Sequence, residues 1–517
     1  MKACLILVIG LAGLWCAVCI QTACISTGQG RNGHTNWAEE RFRDVSWGRG
    51  TLDFTNTLAA VTAEEWEQAG RLVNPNKDIL YFTSEEGTQV FQILNLDITN
   101  VIHTATELAQ FAHLVNHGDN FYGRVVILAS DVDLSAHQWT PIGTNSTVCF
   151  KGIFDGKGHT ISGMTVNVSG EYSFDCIGLF GEVHGSIIRN MTFADVNISV
   201  FCGGGTFPVV GGIAGSSCGI ISNCTVNGAI SSSFVAGGIA GSNRYGISGI
   251  MDCVNDAAVS AVSVTGGIVG WNSCPIWNCR NNGTVSCSSD IVSPKIGGIA
   301  GNNDGLIVNC LNNGTVRSFS YSDARVGGLV GENNIDRIIN SLNRGTVYVR
   351  TDSAASEVEE VREQGADSRV GGIVGRHVGG NIVNCVNVGD ITGTGTRNDR
   401  FYIGGIIGDN DVSISKITKS TDNYWRTSGM GQAIGTNKAG TATSNLIGFG
   451  DAPGTLSSPH PVFGTTSLLD ALNAYVDAHP AATNIWDSAR TNAIPLLKWA
   501  LGDSPDGYPS LHDIWGR

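Results

Sequence analysis

The residues best suited to acid–base chemistry form one local cluster, Asp155, Lys157 and His159. In a polysaccharide-cleaving site such groups would donate and accept protons, and a glycosidase would need two carboxyls roughly 5–10 Å apart. The string Asp155-Gly-Lys-Gly-His159 is also typical of two consecutive tight turns, because Asp and Gly favour turn conformations. We therefore interpret these residues as a turn that opens the fold.

Further carboxylates and cations lie in the second half of the chain, and an enzyme would have to gather several of them in one place. The candidates are Asp252, Asp256, Asp290, Asp304, Asp323, Glu332, Asp336, Arg317, Arg325, Arg337 and Arg344. They do not recur at one position when the repeats described below are aligned. We predict no catalytic, cofactor-binding or metal site, although the sequence leaves a carboxylate pair open.

Five cysteines recur at one position of the repeat, namely Cys224, Cys253, Cys279, Cys310 and Cys385. Their spacing lacks the C-x-x-C pairs or the His partner that a metal site would require. A row of buried thiols that pack as small apolar side chains is the favoured interpretation. Disulfides between neighbouring turns fit poorly, because parallel Cβ vectors do not suit the bond geometry. The remaining cysteines of the repeat region have no assigned pairing and are Cys149, Cys176, Cys202, Cys218, Cys274 and Cys287.

A row of asparagines follows two residues after the cysteine position. Its members are Asn255, Asn281, Asn312, Asn343 and Asn387. Asparagine amides can hydrogen-bond turn backbone. We predict that this row is buried and satisfies the backbone of successive turns.

Both rows belong to a repeat that begins with the phrase Gly-Gly-Ile/Leu-Val/Ala-Gly. Its copies align at Gly178, Gly212, Gly238, Gly267, Gly298, Gly328, Gly372 and Gly405, at steps of 26 to 44 residues. Each copy has about three short apolar runs separated by Asn, Asp and Gly, and none has room for a long helix. This pattern predicts an all-β, right-handed parallel β-helix of about ten rungs, with strands roughly 4.8 Å apart along the axis.

The repeat resembles the GLUG-motif repeats of bacterial surface proteins. The resemblance rests on the glycine phrase and on the following Asn-Cys-x-Asn-x-Gly-x-Val, as in residues 309–316. It implies a pectin lyase-like β-helix. GLUG repeats also occur beside metalloproteases of the IgA-peptidase type, but the zinc motif H-E-x-x-H of those enzymes is absent from this sequence. The resemblance therefore does not carry peptidase activity over.

Residues 1–26 are expected to be a targeting segment. Lys2 precedes an uninterrupted apolar run from Ala3 to Ile20, which is typical of a secretory signal peptide. A lipoprotein signal ending before Cys24 is the alternative, and it would attach the N-terminus to a membrane. We expect a secreted or cell-surface location, with an outer-membrane lipoprotein as the alternative.

The remaining chain divides into three parts. Residues 27–100 are predicted to be an N-terminal extension, 101–435 the β-helix, and 436–517 a C-terminal wrap and cap. Thr104-Ala-Thr-Glu107 is a capping-box pattern, so a helix over 103–118 is expected to cover the first rung. A second capping helix is predicted from Ser467 to Asp477.

An acidic insertion at 351–369 accounts for the longest repeat step. Insertions in solenoids form loops on one face, often the binding face. A solvated loop without a partner is the simpler interpretation.

Net charge and composition narrow the range of functions. The net charge of −14 argues against nucleic acid as a partner. The favoured function is a non-catalytic, adhesin-like repeat protein that contacts glycans or host and matrix proteins. Two alternatives stay open. One is a polysaccharide lyase or glycoside hydrolase of the β-helix type. The other is a carbohydrate-binding module using exposed aromatics, for which Trp271, Tyr245, Phe319, Tyr321, Tyr348 and Tyr402 are the candidates.

Overall fold

The computed structural model describes residues 77–449, with gaps, and Leu472. The gaps are 85–86, 96, 171–174, 203–206, 245–247, 290–292, 354–355, 357–364, 397–398, 412–418, 427–431 and 438–441. The predicted signal segment, Cys24 and nearly all of the predicted C-terminal helix lie outside the described residues.

The described chain is an all-β parallel solenoid of about nine turns with little helix. A typical turn contains five short strands, whereas the apolar runs predicted three. In the turn around Gly297 the five strands are Lys295–Gly297, Ala300–Asn303, Ile307–Val308, Leu311–Asn312 and Val316–Ser320. Each predicted run was too long because polar turn residues divide it. The handedness and the exact number of rungs remain predictions.

Equivalent strands of successive turns stack into five columns. The first column, directly before the glycine pair, contains Cys176–Ile177, Val209–Gly211, Val235–Gly237, Val264–Gly266, Lys295–Gly297, Arg325–Gly327, Asp367–Gly371 and Arg400–Gly404. The second contains Ala240–Asn243, Val269–Asn272, Ala300–Asn303, Val330–Asn333, Val374–His377, Ile407–Asn410 and Ile434–Asn437. The third contains Asp97–Ile102, Arg124–Leu128, Ile153–Asp155, Gly249–Met251, Ile276–Trp277, Ile307–Val308, Ile338–Ile339 and Asn381–Val383.

The fourth and fifth columns complete each turn. The fourth contains Val132–Asp133, Thr160–Ser162, Val254–Asn255, Arg280–Asn281, Leu311–Asn312, Leu342–Asn343 and Val386–Asn387. The fifth contains Thr165–Gly170, Ala258–Ala261, Val285–Ser289, Val316–Ser320, Val347–Thr351 and Ile391–Gly395. Longer strands that run through more than one column are Phe180–Cys202, Ala214–Ser232, Lys419–Arg426 and Ala442–Phe449.

The columns are parallel and in register, so equal repeat positions lie on top of one another. In the fifth column, for example, Val285 pairs with Val316, Val316 with Val347, and Val347 with Ile391. The inward side chains form continuous buried stacks of Ile, Val and Leu. Each turn therefore buries its apolar side chains only against its neighbours, as expected of a solenoid.

The glycine pair makes a sharp corner between the first and second columns. A methyl group on Gly266 would overlap the carbonyl oxygen of Val269, and one on Gly267 would overlap the Gly298 carbonyl and the Asn281 side chain. Only glycine permits this close approach of backbone to backbone. The repeated phrase is thus explained by the corner.

A second tight turn separates the third and fourth columns. The residue before each cysteine of the row has a positive φ of 48–54°, and these residues are Asn223, Asp252, Asn278, Asn309 and Asn384. Asn and Asp tolerate this left-handed conformation better than other side chains with a Cβ. The Asn-Cys pairs of the sequence mark this turn.

The predicted N-terminal helix is present and runs from Ala105 to Asn116. Thr104 is its N-cap, and Thr104 and Glu107 form the predicted capping box. Its Phe111 ring packs at 5.5 Å from Phe150 in the first turns. The apolar face was predicted to include Leu114, but that side chain is exposed. The role of this helix as a cap remains a prediction.

The boundaries of the solenoid differ from those expected. The strands Lys77–Ser84 and Gly87–Asn95 pair antiparallel beside it. Solenoid strands begin at Asp97 and continue to Phe449, beyond the expected ends at 101 and 435. The insertion is shorter than 351–369, because both of its predicted ends lie in fifth- and first-column strands. At its base the hydroxyl oxygens of Thr351 and Ser368 are 2.9 Å apart.

Candidate binding groove

The outward side chains of the first and second columns meet across the glycine corner, along the solenoid axis. We call this surface the axial groove. Its first-column residues are Cys176, Val209, Val235, Val264, Lys295, Arg325, Arg369 and Tyr402. Its second-column residues are Glu182, Ser216, Ser242, Trp271, Asn302, Glu332, Arg376, Asp409 and Thr436. Sequence reasoning missed the groove.

The N-terminal half of the axial groove is apolar. The first-column residues from Cys176 to Val264 form a cluster against which Phe234 and Trp271 pack. The rings of Phe207 and Phe234 lie 4.7 Å apart, and those of Phe234 and Trp271 meet edge to face at 5.5 Å. Phe207 is 60% exposed, so the aromatic cluster reaches the surface.

The C-terminal half of the groove is charged, and Glu332 lies at its centre. Its carboxylate is 2.7 Å from Lys295 Nζ, 3.0 Å from Arg325 Nε and 3.2 Å from Arg376 Nη1. These cations come from both columns and from three turns, which shows that the two columns face each other. Burial opposes ionisation, but the Arg325 guanidinium and the Lys295 ammonium outweigh it and hold the pKa of Glu332 below its usual range.

The charged half continues toward the C-terminus through Arg369 and through the second amino group of Arg376. Arg369 Nε is 3.0 Å from Asp409, and its Nη1 is 3.2 Å from Asp323. Arg376 Nη2 is 2.6 Å from Asp411. The carboxylates and guanidinium groups therefore form a cross-linked network.

The predicted carboxylates and arginines are mostly not brought together. Of that set, Glu332 and Arg325 meet in the groove, and Asp323 reaches it through Arg369. Most others lie at the turns; Asp304, for example, accepts a hydrogen bond from Asn334 at 2.9 Å. Asp290 lies outside the described residues.

The aromatic candidates also separate into two places. Trp271 and Tyr402 lie in the axial groove. Phe319 and Tyr348 form a pair at 5.9 Å on the outside of the fifth column. Tyr245 lies outside the described residues. No single aromatic row therefore follows from the predicted set within the described turns.

The structure stacks the five cysteines of the row as buried thiols. In each, the Sγ donates to the backbone carbonyl two residues earlier, at 3.1–3.3 Å. Ser341 takes the same position and donates to the Ile339 carbonyl at 2.8 Å. Burial raises the pKa of the Cys310 and Cys385 thiols to about 12. The cysteines that the structure describes are all free thiols.

The predicted asparagine row forms a continuous chain of hydrogen bonds. The Nδ2 of each amide donates to the Oδ1 of the next, from Asn255 to Asn387, at 2.8 Å in every step. Each Nδ2 also donates to a carbonyl of its own turn; Asn312, for example, donates to Gly314 at 2.9 Å. The members of the row are 0–1% exposed.

A second asparagine row lies in the second column and was not foreseen. Asn243, Asn272, Asn303 and Asn333 are buried and bonded amide to amide at 2.7–2.9 Å. The next member is His377, whose Nδ1 is 3.5 Å from Asn333 Nδ2. The signal was present in the sequence, since these residues all stand two positions after the last glycine of the phrase.

The first predicted turn contains a buried ion pair. Asp155 is 1% exposed and accepts from Arg189 Nε at 3.0 Å, while Lys157 Nζ is 3.1 Å away. Lys157 has a φ of 52° and its N–H donates to Asp155, as in a tight turn. His159 instead contacts Asp131 at 3.2 Å. These contacts belong to turn formation and do not bring the three side chains to one site.

Two features are absent from the described ranges. No helix there is long and apolar enough to cross a membrane. No group of three or more His, Cys, Asp or Glu side chains there is placed to hold a metal ion.

Comparison with known proteins gives local or distant likenesses. No family model matches the chain. A segment of 127 residues is 33% identical to part of halomucin from Haloquadratum walsbyi, and covers 22% of this chain and 1% of that protein. A Bacteroides ovatus protein provisionally named an immunoglobulin A1 protease aligns with a TM-score of 0.40 and 21% identity, covering 68% of this chain and 84% of that chain. An IgA1 protease aligns with a TM-score of 0.30 and 12% identity, covering 67% of this chain and 24% of that chain. None of these likenesses determines an activity.

Proposed function

We propose that this chain is an extracellular or cell-surface solenoid of the GLUG-repeat type that binds a segment of a host or matrix protein in the axial groove. The observation that carries the proposal is the composition of the groove, in which an aromatic half is continuous with an arginine-rich half. Protein interfaces favour this combination, because aromatic and Arg side chains supply most hot spots. The expected signal peptide at 1–26, with its apolar run from Ala3 to Ile20, supports an extracellular location.

The groove favours binding over catalysis. A general acid in a glycosidase needs a raised pKa, whereas the cations around Glu332 lower the pKa of that carboxyl. Asp409 forms an ion pair with Arg369. Carboxylates that are neutralised in this way suit a static recognition surface.

Glycans are the other ligand class to be tested. Binding of a polysaccharide through stacking would favour a row of aromatics with exposed faces. The groove instead packs its aromatics edge to face, as for Phe234 and Trp271. This geometry gives an apolar patch and favours a polypeptide with an apolar anchor residue.

The test uses the full secreted chain on arrays of matrix proteins and glycans. Trp271→Ala and Phe234→Ala should each weaken matrix-protein binding by about tenfold or more, as expected of hot-spot residues. Phe319→Ala is the matched control, since it removes a comparable aromatic outside the groove. It should change affinity by less than about twofold.

Three results would contradict the proposal. Equal losses in the groove variants and in Phe319→Ala would remove the groove as the site. Binding to glycans alone would show that the ligand class is wrong. Release of reducing or unsaturated sugars from acidic polysaccharides would show that the protein is an enzyme.

A further inference from the structure

Near the N-terminal end of the groove, a thiol, an imidazole and a carboxylate lie together on outward strand positions. Glu182 and His184 are two residues apart on one strand, and His184 Nε2 is 2.8 Å from Glu182 Oε1. Cys218 lies directly opposite His184 in the next turn of the parallel ladder. Adjacent strands are about 4.8 Å apart, which places the thiol beside the ring.

The residues next to Cys218 in its ladder are His184 on one side and Arg244 on the other. Hydrogen bonds with Cys218 and Glu182 raise the pKa of His184 to about 9, although burial opposes this, so the ring is an imidazolium at neutral pH. In the turn that follows Cys218, Asn243 pairs with Ser217, and the Arg244 N–H donates to the Ser217 carbonyl. Arg244 is therefore the residue opposite Cys218 in that turn. The thiolate is the reactive form of cysteine.

Cys218 is one of two described thiols that are accessible to solvent. Cys202 and Cys218 are half-buried, whereas the remaining described cysteines are buried. Burial raises the pKa of Cys149 to about 11 and that of Cys176 to about 12, which disfavours their thiolates. Cys202 lies opposite Gly170 in its ladder and thus has a glycine where Cys218 has an imidazole.

We propose that Cys218 is a nucleophilic thiol that exchanges with low-molecular-weight disulfides, with His184 as its proton partner and Glu182 as the residue that positions the ring. A nucleophile beside a base that is oriented by a third group is the arrangement used for covalent catalysis. This inference is independent of ligand binding in the groove.

Disulfide exchange fits the site better than acyl transfer does. Acyl transfer needs free N–H donors for an oxyanion. Here the Gly219 N–H donates to Ser217 Oγ and the Arg244 N–H to the Ser217 carbonyl. Attack on sulfur develops no carbonyl oxyanion, so it does not require these donors.

The exchange proceeds in one balanced step. The Cys218 thiol loses its proton to water, and the thiolate, which faces the His184 imidazolium, attacks one sulfur of R–S–S–R. The S–S bond breaks, a Cys218–S–S–R mixed disulfide forms, and the leaving R–S⁻ takes the proton from the imidazolium. The Cys218 sulfur is oxidised and the leaving sulfur is reduced, so no further oxidant is needed.

The test uses the full chain and a chromogenic aromatic disulfide, dithiobis-nitrobenzoate. We expect one rapid equivalent of released aromatic thiolate, with the adduct on Cys218 by peptide mass mapping. Cys218→Ser should abolish this phase and His184→Asn should slow it by about tenfold. Cys202→Ser, the matched control, should leave it unchanged. A rapid phase that survives Cys218→Ser, or an unchanged rate in His184→Asn, would overturn the proposal.

The isosteric change Glu182→Gln tests the positioning residue without removing the ring. It should move the midpoint of the rate-against-pH curve upward, because a less stable imidazolium supports the thiolate less. The other titratable or charged groups near the cluster are Cys149, Cys176, Lys151, Asp175 and Arg244. They are the same in both proteins, so an unshifted midpoint at equal melting temperature would refute the role of Glu182.

Discussion

The most informative perturbation of the fold is His377→Asn, because His377 replaces an asparagine in a buried amide row. Its side chain is 1% exposed, and its Nε2 has no hydrogen-bond partner among the described residues. The neighbouring members are Asn333 and Asn410. An amide at this position could donate to one neighbour and accept from the other, as in the preceding turns.

The magnitude follows from the titration of the imidazole. Burial lowers the pKa of His377 from 6.5 to about 4. Between these values the unfolded chain binds more protons than the folded chain, so stability is retained above pH 6.5 and is lost as the pH falls toward 4. A shift of about 2.5 units corresponds to roughly 3 kcal/mol of unfolding free energy lost across this window.

Urea titrations at several pH values between 7.5 and 4 provide the assay. Solenoid turns can unfold separately, so hydrogen exchange of peptides covering 374–383 localises the effect. We expect His377→Asn to flatten the pH dependence there, while His137→Asn, at an exposed histidine, leaves the wild-type slope. Equal slopes in wild type and His377→Asn would refute the reasoning.

Three further predictions concern the amide row, the groove and the insertion. Asn312→Ala should lower the free energy of unfolding by about 3 kcal/mol in a urea titration, because four buried hydrogen bonds are lost. The control Asn313→Ala removes one exposed hydrogen bond. It should lower the free energy of unfolding by less than about 1 kcal/mol. Glu332→Gln should lower the free energy of unfolding by about 2 kcal/mol at pH 7, because three part-exposed cations lose their carboxylate partner. The difference between wild type and variant should vanish in acid, as the pH falls through the lowered pKa of the Glu332 carboxyl. Residues 357–364 lie outside the described residues, and the sequence predicts a solvated loop there. Replacing them by a short Gly-Ser linker should leave the melting temperature within about 2 °C in calorimetry, because such loops tolerate changes.

Much of the fold could be predicted from spacing alone. Equal repeat positions stack in a solenoid, so the recurrence of Cys224 and Asn255 in later turns was enough to predict two rows. The capping-box pattern at Thr104 was enough to locate the helix. Both signals are local in sequence and do not depend on how a turn bends.

The groove and the strand count depend on the bend itself. Lys295, Arg325 and Arg369 stand two residues before the glycine pair, but their repeat partners in earlier turns are valines. Because the residue type changes along the column, these positions do not appear as a repeated residue in the sequence. The concave corner that brings Glu332 to these cations arises from backbone contacts of glycine, which spacing does not reveal. The ion pairs of Arg369 with Asp323 and Asp409 were harder still to predict, because the predicted insertion included Arg369.

The amide rows also bear on how such a chain can change length during evolution. In the row through Asn312, each amide Nδ2 donates a hydrogen bond to the following turn, and each Oδ1 accepts one from the preceding turn. Duplicating one turn would therefore insert an amide whose bonds are already provided on both sides. Deleting a turn would rejoin two amides that match equally well. The number of turns can therefore increase or decrease without leaving a buried amide unpaired. Selection can then change the length of the groove separately from its chemistry.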